Sequence, residues 1–588
     1  MIYQEPIGRS EYTATGFRGL AKGTAFGSID SFADTLNMSG ADYPAVRVRD
    51  MRAEVHDYGS TNGTHVAIAD GGDGLIHITG KKVYYRRTQI ATLPQNVGST
   101  EQILVIGKKM LLRSMGVVVD LTIGTVAAVA QSNTQISATA VPCDIDGNAG
   151  QANVSVYAKI TGTGLASGLN QGDVITIASN NSLDAVTDGD YQIIKKISDN
   201  AIVIIAAMTV ATVTASGTSF TRKYPTPTFA CVCGNRIWAC DNGSSRKGQI
   251  YCSALGDPFN WNTFQGLSTD SWVSAVGTPG MFTWACSFQD TPIFFKENEI
   301  IKVYGSTPSE FQISVSQAPG VERGYNQTLD ASVCMDGTLY YRSGEGIMAY
   351  DGATPVRIDQ ALGTGQYTRA RFGAGHGKLY VCMTPLKVMD QFDTWEPQWQ
   401  NGYIEPELYV YDTHNGTWYR EDSLEVARFV TSGYGDLYAL EHYMDESRLY
   451  DYHRLWAIDL NQAHGGATYP KMVEGDQYLW LNYSGVDFAL ETGRIELEKL
   501  YRKHAAKLKL RFEYYSQVQQ DPPPMLIEAA YDEGDWQTLK QIDSKNSLMM
   551  ETVTLIPTRC DYMRLRISGR GYLKLHEVAF VDENGSEL

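Results

Sequence analysis

The chain has 588 residues, 43% of them hydrophobic, with 56 glycines, 35 tyrosines and 10 tryptophans. It is too long for one ordinary core, and its composition favours many short strands and tight turns over long helices. A net charge of −17 with a pI near 5.1 argues against general nucleic-acid binding by phosphate neutralisation, and no stretch approaches the roughly 18 apolar residues of a membrane-spanning helix.

Residues 1–50 are irregular, with Gly and Ser punctuation, and read as an extended arm packed on a neighbour or across the main body. The N-terminus lacks the charged and then apolar pattern of a signal peptide. "GFRGLAKGT", at 16–24, has glycines and Lys22 but not the spacing of a phosphate-binding loop.

From residue 51 a unit recurs: a turn, an alternating apolar strand, a second turn and a further strand ending in an aromatic residue. It is seen in "DGLIHITGKKVYYR", "DTPIFFKENEIIKVYG", "DGTLYYRSGEGIMAYDG" and "ELYVYDTHNGTWYR". The turn-opening residues near 73, 235, 290, 336, 377 and 435 lie about 40 to 60 apart once the long gap before 235 is set aside. That is the length of one four-stranded antiparallel blade. Such a sheet cannot bury both faces alone and must stack on neighbours, and radial stacking makes a β-propeller. The expected fold is therefore mainly β, a propeller of about six blades spanning 51–124 and 223–482.

Two segments depart from the pattern. Residues 125–222 turn to Ala, Val, Thr, Ser and Asn and read as a small β-barrel or sandwich inserted into a blade loop, where added length costs little closure entropy. Residues 483–588 alternate cleanly and read as a C-terminal β-sandwich, with Asp532-Glu533-Gly534-Asp535 as a turn before Trp536.

"ALGDPFNW", at 254–261, is a turn that ends a strand. Gly256 tolerates positive φ, Asp257 can bond nearby backbone and Pro258 fixes φ. Phe259 and Trp261 should pack on neighbouring layers while Asn260 ties down the loop, so Gly256, Asp257, Pro258 and Trp261 are read as a structural anchor.

Candidate chemistry is sparse. The nine cysteines, at 143, 231, 233, 240, 252, 286, 334, 382 and 560, mostly fall in apolar runs and read as core thiols; Cys231 and Cys233 are too closely spaced for a zinc knuckle. "DGGDG" at 70–74 and "DIDGNAG" at 144–150 lack the closing Glu of a calcium loop and read as hairpin turns. His376, His414 and His442 sit at strand ends or turns. The residues give no catalytic, metal-binding or cofactor-binding set, and the chain is expected not to be an enzyme. A glycosidase would need a pair of carboxylates gathered from different blades, and nothing in the residue order picks out two.

One basic run stands against the acidic whole. "KLYRKHAAKLKLR", at 499–511, holds Lys499, Arg502, Lys503, Lys507, Lys509 and Arg511. As a strand it puts Lys507, Lys509 and Arg511 on one face, opposite Leu508, Leu510 and Phe512. That face is either solvated or an electrostatic dock for an acidic partner subunit.

The order "ADYPAVRVRDMR", "EQILVIGKKMLLRS", "IYCSALGDPFNW", "DTPIFFKENEIIKVYG", "DGTLYYRSGEGIMAYDG", "YDEGDWQTL" and "PTRCDYMRLRISGRGYLKLHEV" resembles the tail nozzle, or tail-stabilisation, proteins of short-tailed bacteriophages. The resemblance covers most of the chain outside 125–222. It implies a structural protein of the virion, assembled in the host cytoplasm as a homo-oligomeric ring, usually sixfold. The ring would lie below the portal and adaptor, contact tail fibre or needle subunits, and extend or plug the channel through which genomic DNA passes. It also implies that the turn after "SALGDP" closes a blade and that the following aromatics lock it to the next. The alternatives are a receptor- or glycan-binding propeller and, behind it, a propeller glycosidase.

Overall fold

The computed structural model describes residues 9–22, 28–60, 64–178, 183, 186, 188–243, 246–323, 329–385, 405–444, 451–459, 486–496, 504–516, 524–543, 545–555 and 560–583. Among them there is no α-helix; a single 3-10 turn, Gln360–Leu362, is the one helical element. The fold is mainly β and of the propeller class, with seven four-stranded antiparallel sheets among the described residues against the six or so units counted in the sequence. The chain divides into two compact units, residues 1–63 with 324–588, and residues 64–323.

The 64–323 unit holds four blades, spanning 66–92, 103–128, 229–275 and 284–317. Ile76, Ile78, Val83, Met110, Leu112 and Val119 share one core between the first and second blades. The second and third are joined by a core containing Leu104, Leu111, Val118, Ile237, Tyr251 and Trp261. Between second and third blades the chain runs through a seven-stranded sheet made by 132–222, which has its own core around Ile160, Ile175, Ile202 and Phe220.

The other unit holds three blades, spanning 332–357, 367–420 and 426–459. The third is completed by Ala53–Ser60, a strand more than 350 residues away in sequence that pairs along Asp451–Asp459. Register explains why these blades are apolar on both faces. Leu339, Tyr340 and Tyr341 are all buried although they alternate, because each face meets a neighbour.

Several blades open with the same hairpin. Gly234-Asn235, Gln289-Asp290, Asp336-Gly337 and His376-Gly377 each connect two strands, and both residues of each pair have positive φ. This is the type I′ turn whose twist matches antiparallel strands, and it favours Gly, Asn and Asp.

The extended arm expected over 1–50 is not what the structure shows. Arg9–Ala14 pairs with Tyr572–Glu583, Phe32–Leu36 with Asp487–Thr492, and Val46–Val48 with the same C-terminal strand Tyr572–Glu583. These strands complete two six-stranded sheets with the C-terminal strands. Phe17, Phe32, Met38, Val46 and Val48 supply part of the sandwich core, beside Leu510, Phe512, Ile527 and Phe580. Strands of two to six residues with remote partners are too short to show a period, hence the irregular reading.

Candidate functional site

The "GDPFNW" turn is anchored on every side. Gly256 has φ +68° and donates its N–H to the Asn235 carbonyl at 2.7 Å, and Asp257 Oδ1 accepts the Phe259 N–H at 2.9 Å. Trp261, 1% exposed, donates Nε1–H to the Pro258 carbonyl at 2.8 Å and meets Tyr224 and Tyr251 edge to face. Asn260 holds the loop through its carbonyl, which accepts from Ala254 N–H, and through Oδ1, which accepts from Thr263. The blade locked on is the preceding one, 103–128, rather than the next as the resemblance implied.

Phe259 carries a second joint. The Arg222 guanidinium lies over its ring at 5.4 Å and Lys109 Nζ at 5.7 Å. Arg222 ends the inserted sheet, where its Nε–H is donated to the Val129 carbonyl at 2.7 Å and its Nη1 to Gly168 at 3.1 Å, beside buried Asp173. Burial holds the Asp173 carboxyl above its usual range despite Arg222. The same blade pair is clasped by Gln102, whose amide bonds the Ala230 carbonyl and N–H, and by Arg113, which donates to the Pro227, Thr228 and Thr100 carbonyls.

A cluster that sequence reasoning missed lies in the other unit. Arg52 donates to Glu421 Oε2 and Asp422 Oδ2, both at 2.7 Å, and Arg49 reaches Asp422 at 3.2 Å. Lys378, Tyr380 and Asp459 line the adjoining cleft. Burial alone would raise the Asp422 carboxyl; the Arg52 and Arg49 charges bring it below the usual carboxylate range. Two arginines three apart and an adjacent Glu-Asp pair were visible in the sequence, but more than 360 residues separate them.

Lys507, Lys509 and Arg511 lie on the strand His504–Tyr515 with Leu508, Leu510 and Phe512 buried beneath. Lys509 and Arg511 are exposed and Lys507 is half-buried. Lys499, Arg502 and Lys503 fall outside the described residues, as do Gly23 and Thr24 of the glycine-containing stretch near Lys22.

Of the nine cysteines, none is in a disulfide and seven are buried. Burial pushes the Cys252 thiol up to about 12 and the Cys143 and Cys382 thiols up to about 11, the behaviour of core thiols. Asp70–Gly74 closes a hairpin, with Asp73 held by Arg86 and Lys108, and the Asp144 carboxylate accepts the Asp146 and Asn148 N–H groups of its own turn. His376 meets Asp459 at 3.1 Å, and His442 packs against the His453 ring. Among the described residues no group of three or more His, Cys, Asp or Glu is placed to hold a metal ion, and no helix is long and apolar enough to cross a membrane. Burial raises the carboxyls of Glu441, which accepts Trp456 Nε1–H at 2.7 Å, and of Glu491, 3.8 Å from Arg564; they stand on different sheets.

No protein-family profile matches the chain, and no curated protein matches it. Similar solved structures include an exo-β-1,3-galactanase from Phanerochaete chrysosporium, 11% identical over 59% of this chain and 92% of that one, with a TM-score of 0.21. A quinonprotein alcohol dehydrogenase-like protein from Bacteroides thetaiotaomicron is 13% identical over 62% and 76%, with a TM-score of 0.27. A xylan β-1,4-xylosidase from Bacillus halodurans is 11% identical over 60% and 97%, with a TM-score of 0.19. The expectation that the chain is not an enzyme is corrected here, because glycosidases stand among its matches. At these identities and TM-scores the likeness transfers no substrate and no catalytic residue.

Proposed function

We propose that this chain is a structural propeller subunit of the tail of a short-tailed bacteriophage, assembling with further copies of itself below a portal and adaptor. One observation supports this reading: three of the seven motifs that carry the sequence resemblance supply contacts between sheets. "ADYPAVRVRDMR" places Arg49 and Arg52 on Glu421 and Asp422. "EQILVIGKKMLLRS" supplies the Gln102 and Arg113 clasps, and "SALGDPFNW" the buried Trp261. Residues spent on holding sheets together suit a part whose work is mechanical.

The second reading is a propeller that binds or hydrolyses glycan. The named activities of the similar solved structures favour it over the tail reading, on which they are silent. Glu441 is the carboxyl to test, since burial raises it, the direction in which a general acid is tuned. Particles purified from an infected or induced host separate the two. The tail reading expects the chain as a stoichiometric band in tailed particles. Absence from particles, together with Glu441-dependent turnover of galactan, xylan or host capsule, would establish the second reading in its place.

A further inference from the structure

The strand Lys545–Thr554 is the edge of its six-stranded sheet, paired on one side with His504–Tyr515 and on the other with no described strand. An edge is a row of unpaired backbone donors and acceptors, and natural edges are blunted by charged side chains, prolines or bulges. This edge is not. Its outward residues, at alternate positions from 548 to 554, are Leu548, Met550, Thr552 and Thr554, with Leu548 47% and Met550 80% exposed. The one acid among its described side chains, Glu551, is engaged by Lys540.

The basic stripe lies directly beside it. In register, Lys507 stands opposite Thr554, Lys509 opposite Thr552, Arg511 opposite Met550 and Glu513 opposite Leu548. Three cations would by themselves be an ordinary solvated face. Exposed Met and Leu alongside Arg, on the uncharged outward stretch Leu548 to Thr554 of an edge strand, make the composition of an interface core instead. The stripe also runs against the charge of the molecule, which carries 66 acidic and 49 basic side chains, so the surface it complements is that of the chain itself.

We propose that the outer face of the edge strand Lys545–Thr554, together with Lys507, Lys509 and Arg511, docks a second copy of this chain through an acidic surface of that copy. The contact is heterologous, because two cationic stripes placed face to face would repel, and heterologous contacts are those that generate rings. The inference rests on the reading of the chain as a self-assembling subunit.

The test is sedimentation velocity of the full-length chain over a concentration series at about 0.05 M and about 0.5 M NaCl, conditions between which exposed charges become strongly screened. Wild type is expected to self-associate at low salt and to weaken at high salt. The triple variant K507E/K509E/R511E is expected to weaken association at least about tenfold at low salt, with circular dichroism unchanged and melting shifted little, because surface charge interactions contribute little to folding. Met550→Glu, which removes the apolar contact and repels an acidic partner, should do the same and serves if the triple variant fails to fold. A chain that stays monomeric at every concentration would overturn both the inference and the self-assembling reading. Self-association unaffected by salt and by both variants would overturn the docking face alone.

Discussion

The guanidinium of Arg222 lies 5.4 Å above the ring of Phe259, so the last residue of the inserted sheet is seated on the loop between the third and fourth strands of the following blade. The contact explains why "GDPFNW" interleaves aromatic and polar residues: Phe259 receives the insert while Trp261 receives the preceding blade. Arg222→Ala should destabilise by about 3–5 kcal/mol, because it leaves the Asp173 carboxyl buried without its cation. Phe259→Leu should cost less, about 0.5–2 kcal/mol, since it removes the cation–π contact but keeps an apolar contact. Thermal melts of both variants check the ranking; equal effects would show that the ring, not the ion pair, seats the insert.

Trp261→Ala should cost about 3–5 kcal/mol, as large aromatic truncations in cores do. Trp261→Phe keeps much of the contact with Tyr224 and Tyr251 and loses the bond to the Pro258 carbonyl, worth about 1 kcal/mol. Denaturant melts would order wild type above Trp261→Phe above Trp261→Ala, and wild-type behaviour of the alanine variant would contradict the buried anchor.

Arg52 and Asp422 give a pH signature. The folded Asp422 carboxyl lies below its unfolded value of about 4, so the stability it contributes is present above that pH and is lost as pH falls through the folded value. Arg52→Ala, which strands Glu421 and Asp422 half-paired, should cost about 3–5 kcal/mol near neutrality. The gap between wild type and variant should narrow as pH is lowered from about 6 to about 3. A gap constant across that range would show that Arg52 acts through packing alone.

At Asp336-Gly337 the turn requires φ +50° and +75° in succession. Gly337→Val puts a β-branched residue in the left-handed region and should cost about 1–3 kcal/mol, whereas Asp336→Asn should be nearly neutral because Asn tolerates that region. Melting of the two variants decides it, and a neutral valine would mean the hairpin can change turn type.

Blade hairpins were legible because their signal is local: Asp336-Gly337 between alternating apolar residues carries its own turn chemistry. The burial of Leu508, Leu510 and Phe512 was legible for the same reason. What escaped was long range. Val46–Val48 is three residues long and its partner begins at Tyr572, and Ala53–Ser60 completes a blade built from 426–459. No periodicity encodes such pairings, since each strand is stabilised by neighbours hundreds of residues away. The Arg52–Asp422 pair was hidden likewise: its parts are ordinary surface residues until the fold buries them together. Phe259 was expected to pack between layers, but the insert as its partner had no signature in the residues around it.

The central claim, that this propeller is a structural subunit of a phage tail, is tested most directly by electron microscopy of tailed particles. Wild type would be compared with particles made when the gene is silenced and then complemented. The account predicts that silencing removes a discrete ring of density below the portal and adaptor, and that the complementing chain, carrying a label inserted in the exposed turn near Asp146, restores it with label at one axial level. Intact tails without the chain, with no label on any particle, would contradict it.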